Sequence, residues 1–68
     1  MTRLGAHDTH GYAEIRDALA VGKYVYIQAE EDGQRFRIYQ FKVAKGVAIG
    51  KALSSGTWYP VVAYEITA

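Results

Sequence analysis

Cysteine is absent, proline and tryptophan occur once each, and no apolar run is long. Each absence narrows the possibilities. Without thiols the chain has neither disulfide staples nor thiolate zinc sites. No apolar stretch approaches the roughly 20 residues that a membrane helix needs. The opening Met1-Thr2-Arg3-Leu4-Gly5-Ala6-His7-Asp8 places no apolar stretch after its basic residue. A secretory signal is therefore not expected, and the cytoplasm is the expected location.

Catalytic signatures are missing as well. There is no P-loop, no G-x-G-x-x-G and no nucleophile elbow. Serine chemistry would require His7 or His10 beside Ser54 or Ser55, with an acid to orient the base. Both histidines fall in a stretch without periodicity, a poor support for such geometry. His7-Asp8-Thr9-His10 offers polar ligands, but its spacing matches no zinc pattern. The expectation is a non-enzymatic protein with no catalytic residue, no metal and no cofactor.

What is present is a small, apolar-rich chain. Of its 68 residues, 50% are apolar. A chain this short buries only about 60% of the surface its unfolded form exposes, so its stability is marginal. Small domains commonly add a staple or a partner subunit. With disulfides excluded, a tight apolar core or self-association remains, and a homodimer is expected.

The net charge of +1 conceals an asymmetry. Residues 1–33 carry Arg3, Arg16 and Lys23 against Asp8, Glu14, Asp17, Glu30, Glu31 and Asp32. Residues 34–51 carry Arg35, Arg37, Lys42, Lys45 and Lys51 with no acid, and residues 52–68 add only Glu65. A block of one sign points to an anion-facing surface, or to lysines that guard a solvated sheet edge.

Residues 1–10 read as a flexible arm, and residues 11–68 as one small domain. Over 12–20, Tyr12, Ile15, Ala18 and Leu19 recur on one face at helical spacing. Asp8, Thr9 or Gly11 is placed to cap the start, and Gly22 to end the helix in a left-handed conformation. From Lys23 onward the period becomes two. Asp32-Gly33 between two β-rich runs is a strong hairpin signal. A two-residue turn there sets Glu30 opposite Arg35, Ala29 opposite Phe36, Gln28 opposite Arg37, Ile27 opposite Ile38, Tyr26 opposite Tyr39 and Tyr24 opposite Phe41. Val25, Ile27, Ala29, Phe36 and Ile38 then share an apolar face. Gln40 and Lys42 interrupt that face, which predicts a twist or a bulge near Gln40. Ala44-Lys45-Gly46 and Ser54-Ser55-Gly56-Thr57 read as turns around a strand over 47–53. A last strand is predicted over 58–67, with Pro60 at a strand start, an edge or a bulge. The predicted fold is α+β: a short N-terminal helix packed on one face of a four-stranded antiparallel meander, or the same sheet curled into a half-barrel around the helix.

One constellation stands out as a binding surface. Tyr24, Tyr26, Arg37, Tyr39 and Phe41 lie on one side of the first hairpin, with Arg35 at its tip and Lys42 beyond. Lys45 and Lys51 would extend the basic track. Tyrosine and arginine are enriched in protein interfaces, so a protein partner, or a second copy of the chain, is the first expectation for this face. Single-stranded DNA or RNA is the second, because open rings stack bases while arginines meet phosphates. Trp58 is expected to close the core rather than to join this face.

Overall fold

The computed structural model describes residues 1–30 and 33–68. Its elements run β1 (Thr2–Arg3), α1 (Thr9–Ala20), β2 (Tyr24–Gln28), β3 (Arg35–Ala44), β4 (Val47–Ala52), β5 (Trp58–Pro60) and β6 (Ala63–Thr67). The architecture is α+β: one helix and an antiparallel sheet of six strands in the order β1-β6-β2-β3-β4-β5. The sheet is open, with β1 and β5 at its edges. No helix among the described residues is long and apolar enough to cross a membrane.

The helix forms where its pattern predicts and begins three residues earlier. Asp8 is the cap: its Oδ1 accepts from the Gly11 amide at 2.9 Å. That bond satisfies one of the amides that a helix start leaves unpaired. Gly22, at φ 81°, ends the helix in the left-handed region that glycine adopts without strain. Ile15 and Ala18 are buried on the sheet, and Tyr12 and Leu19 flank them.

Two strands lie beyond the four expected. Thr2–Arg3, within the stretch read as an arm, pairs with β6, and the Leu4 amide donates to the Val62 carbonyl. The strand expected over 58–67 is two strands. β5 pairs with β4, while β6 pairs with β2. Pro60 has no amide to donate, and the next two amides change allegiance. Val61 N–H donates to Ala48 O, and Val62 N–H donates to Gln28 O. Consecutive amides thus bond to β4 and to β2, strands that are not neighbours in the sheet. The chain's alternation resets there: Tyr59 and Val61 point to the core, and so do Tyr64 and Ile66.

The first hairpin has a different register from the one a two-residue turn would set. Gln28 lies opposite Arg35, Ile27 opposite Phe36, Tyr26 opposite Arg37 and Val25 opposite Ile38. The shift is two residues, so every side chain keeps its face, and the apolar pattern alone does not distinguish the two registers. The connection settles the choice. β2 ends at Gln28, whose carbonyl takes the Val62 amide, and the Gly33 amide donates to Glu30 O at 3.0 Å. The expected Asp32-Gly33 turn falls in part on Asp32, outside the described residues.

Ile15, Val25, Ile27 and Ile38 are the fully buried centre of the core. β4 faces them with its small residues, Ala48, Gly50 and Ala52. This leaves room for Ile38, whose Cδ1 lies 2.9 Å from where a Cβ on Gly50 would stand. Phe36 stacks on Tyr59 at 4.6 Å between ring centroids. Tyr64 is buried where β6 meets the helix, and its hydroxyl donates to Glu14 Oε2 at 3.4 Å. Burial first, and then the negative charge of Glu14, raise the Tyr64 pKa above its ordinary value.

Candidate binding face

The helix and core cover one face of the sheet and leave the other outward. Alternation along β2 sends Tyr24, Tyr26 and Gln28 outward, and alternation along β3 sends Arg35 and Arg37 to meet them. The diagonal neighbours touch. The Arg35 guanidinium stands 4.2 Å from the centre of the Tyr26 ring, and that of Arg37 stands 4.1 Å from the Tyr24 ring. Each arginine leans back by two residues across the strand pair. In the register expected from a two-residue turn these contacts would not form in this way.

The β3–β4 register shifts between Ile38 and Gln40, at the place where the sequence predicts a bulge. Tyr39 is the extra residue and is 42% exposed on the outer side. Beyond it the faces exchange. Phe41, expected on the aromatic face, turns inward and meets Tyr12 with ring centroids 6.0 Å apart. Lys42 turns outward and sets its ammonium 4.5 Å from the Trp58 ring. The bulge is thus the physical reason that one predicted site residue leaves the face.

Trp58 is the correction in the other direction. Its size predicts a place in the core, yet the pairing of Lys51 with Trp58 puts both on the outer side. Its neighbour Tyr59 takes the core position instead. Lys51 lies between rings, 5.7 Å from Tyr39 and 5.9 Å from Trp58. Alternation sets Trp58 and Tyr59 on opposite faces, and the pairing with Lys51 decides that Trp58 is the one that faces out. The face therefore gathers Tyr24, Tyr26, Arg35, Arg37, Tyr39 and Lys42, with Lys51 extending it as expected, and adds Trp58.

The electrostatics are one-sided. Arg35 is held by Glu65 at 3.3 Å, an exposed pair. Such a pair contributes about 0–1 kcal/mol. Among the described residues, Arg37, Lys42 and Lys51 have no carboxylate within ion-pair distance. Their contacts are the rings beneath them, each worth about 0.5–1 kcal/mol at an exposed site. The acids Asp8, Glu14 and Asp17 belong to the helix and its cap, away from this face. The His7–His10 stretch supplies that cap and the first turn of the helix. Among the described residues no group of three or more metal-ligating side chains is gathered.

Comparison with known proteins finds no match to this chain among protein-family models, curated proteins or solved structures. The functional reading therefore rests on the face itself.

Proposed function

We propose that this protein is a small non-enzymatic binding module whose outer sheet face takes single-stranded nucleic acid. The observation that carries this reading is the set of cations, Arg37, Lys42 and Lys51, resting on aromatic rings with no carboxylate at ion-pair distance among the described residues. From the sequence alone a protein interface comes first, and the unpaired charge reverses that order. The core of a protein interface is depleted of charged residues, whereas here every ring is interleaved with a cation. Pairing of two copies through this face would also oppose like charges.

The cations do not close the rings to a ligand. An exposed cation–π contact is worth about 0.5–1 kcal/mol. A nucleobase stacked on an aromatic ring contributes about 1–3 kcal/mol. A base can therefore displace the cation from the ring, and the freed cation then meets a phosphate. The face works as an alternating stack and charge track, with Tyr24, Tyr26, Tyr39 and Trp58 as platforms. The cytoplasm is the compartment this reading supposes.

Trp58 is the only tryptophan, so its fluorescence reports directly on the face. A short oligothymidylate is expected to quench it at low salt. With three cations engaged, the logarithm of affinity is expected to fall with the logarithm of salt with a slope of about −2. Arg37→Ala with Tyr39→Ala is expected to abolish binding while leaving the circular dichroism near native. The second reading, a protein partner, draws on the same tyrosines, tryptophan and arginines. Binding that does not respond to salt, or full binding by the double variant, would sink the nucleic-acid reading.

A further inference from the structure

Strand β3 outruns β2. Its pairing with β2 ends at Ile38, opposite Val25, whereas its pairing with β4 continues to Ala44, opposite Val47. Beyond the bulge, β3 therefore has a ladder partner on one side only among the described residues. The last turns of α1 come alongside this stretch and leave a hollow of about 530 Å³. Arg16 and Leu19 line it from the helix, and Tyr39, Phe41, Lys42 and Trp58 line it from the sheet.

The lining has a specific chemistry. Leu19 and Phe41 bring apolar side chains to the lining, and Tyr39 and Trp58 bring aromatic rings. Gln40, also on the wall, carries an amide that both donates and accepts. Arg16 and Lys42 bring two positive charges from different elements, and neither has a carboxylate at ion-pair distance among the described residues. A planar heterocycle that carries an anion satisfies all four features. The hollow is continuous with the outer face through Tyr39, Lys42 and Trp58.

We propose that this hollow seats the phosphorylated terminal nucleotide of a bound strand. The phosphate lies between Arg16 and Lys42, and the base lies against Tyr39 or Trp58. This inference rests on the nucleic-acid reading of the outer face and assigns an end of the strand to one place. Arg16 becomes a ligand-binding residue that no pattern in the sequence singles out.

The test uses oligothymidylate with a phosphate at the 5′ end, at the 3′ end or at neither, and free thymidine monophosphate. Each is titrated against wild type and Arg16→Gln, with Trp58 fluorescence as the readout. Arg16 is exposed on the helix, so the substitution leaves the core untouched. One of the two phosphorylated strands is expected to bind wild type about tenfold more tightly than the unphosphorylated strand, the scale of one added charge-assisted hydrogen bond. Arg16→Gln is expected to remove that gain and leave the unphosphorylated strand's affinity unchanged. Equal binding of all three strands to wild type overturns the proposal, as does an equal loss for all three in Arg16→Gln. Arg16-dependent quenching by thymidine monophosphate with no binding of any strand keeps the hollow as a nucleotide site and overturns the reading of the face. No quenching by any ligand overturns both.

Discussion

Adding one methyl group at Gly50 is expected to destabilise the protein, although nothing at that position strains the backbone. Glycine to alanine at a site the new residue can adopt normally stabilises by about 0.4–1 kcal/mol, because the unfolded chain loses freedom. At Gly50 the new Cβ would stand 2.9 Å from Ile38 Cδ1, 3.0 Å from Ile38 Cγ2 and 3.4 Å from Ile27 Cδ1. Contacts that short cannot persist, so Ile38 must move. It has little freedom to do so: it is β-branched and only 2% exposed, within a core that also holds Val25 and Ile27. Overpacking of this kind costs about 1–3 kcal/mol. In a domain this small each kcal/mol lowers the melting temperature by about 4–8 °C. Set against the gain in the unfolded chain, the net loss at the middle of these ranges is about 1 kcal/mol, so Gly50→Ala is expected to melt about 4–8 °C below wild type by circular dichroism, with a near-native spectrum at low temperature. A second variant isolates the cause. Ile38→Val removes the Cδ1 that stands nearest and alone costs about 0.5–1.5 kcal/mol. Combined with Gly50→Ala, it is expected to lose less than the sum of the two by at least about 0.5 kcal/mol. A Gly50→Ala protein that melts at or above wild type would refute the packing argument.

Three further outcomes follow from the same structure. Asp8→Ala removes the side-chain acceptor at the helix start and is expected to cost about 1 kcal/mol, read as a lower urea midpoint, whereas Asp8→Asn keeps the cap and most of the stability. The Tyr64 pKa is raised in the folded state, so the unfolded chain loses its phenolic proton first as pH rises. The stabilisation is then complete below the ordinary tyrosine pKa and is lost as pH climbs through the folded value, so Tyr64→Phe is expected to flatten the alkaline fall in stability measured by urea titration above about pH 10. Lys51→Ala, which removes one unpaired cation from the outer face, is expected to make the salt slope for oligothymidylate shallower by about 0.7 while leaving the fold intact. An unchanged slope would place Lys51 outside the contact.

The legible parts of the fold are those governed by local rules. The helix from Tyr12 to Ala20 and its Gly22 end follow from spacing and capping chemistry, which leave Asp8, Thr9 and Gly11 open as caps until the structure selects Asp8. The alternation of β2 and the first half of β3 is enough to put Tyr24, Tyr26, Arg35 and Arg37 on one side, away from the apolar set. The interruption at Gln40 marks the bulge, but its consequence was not legible, because the choice of which residue bulges decides the direction of everything downstream. Phe41 and Lys42 exchange faces on that one choice. Trp58 and Tyr59 are both large aromatic neighbours, and only the partner strand says which of them reaches the core.

The division between sequence and structure has one physical origin. Local propensity and the period of apolar residues act within a few residues, and they determined the helix, the strands of the central hairpin and the basic block of residues 34–51, whereas the inward turn of Ala48, Gly50 and Ala52 in place of the larger Val47 and Leu53 was decided by the packing. Pairing between distant segments depends on which backbone groups find partners once the core has collapsed. Tertiary structure alone therefore decided that Thr2–Arg3 joins the sheet and that the last run divides between β4 and β2 at Val61 and Val62. It also decided the two-residue register of the first hairpin. That register sets the arginines over Tyr24 and Tyr26, and the bulge that follows it places Lys42 over Trp58. An even shift leaves the apolar pattern intact, so nothing in the sequence alone could distinguish it.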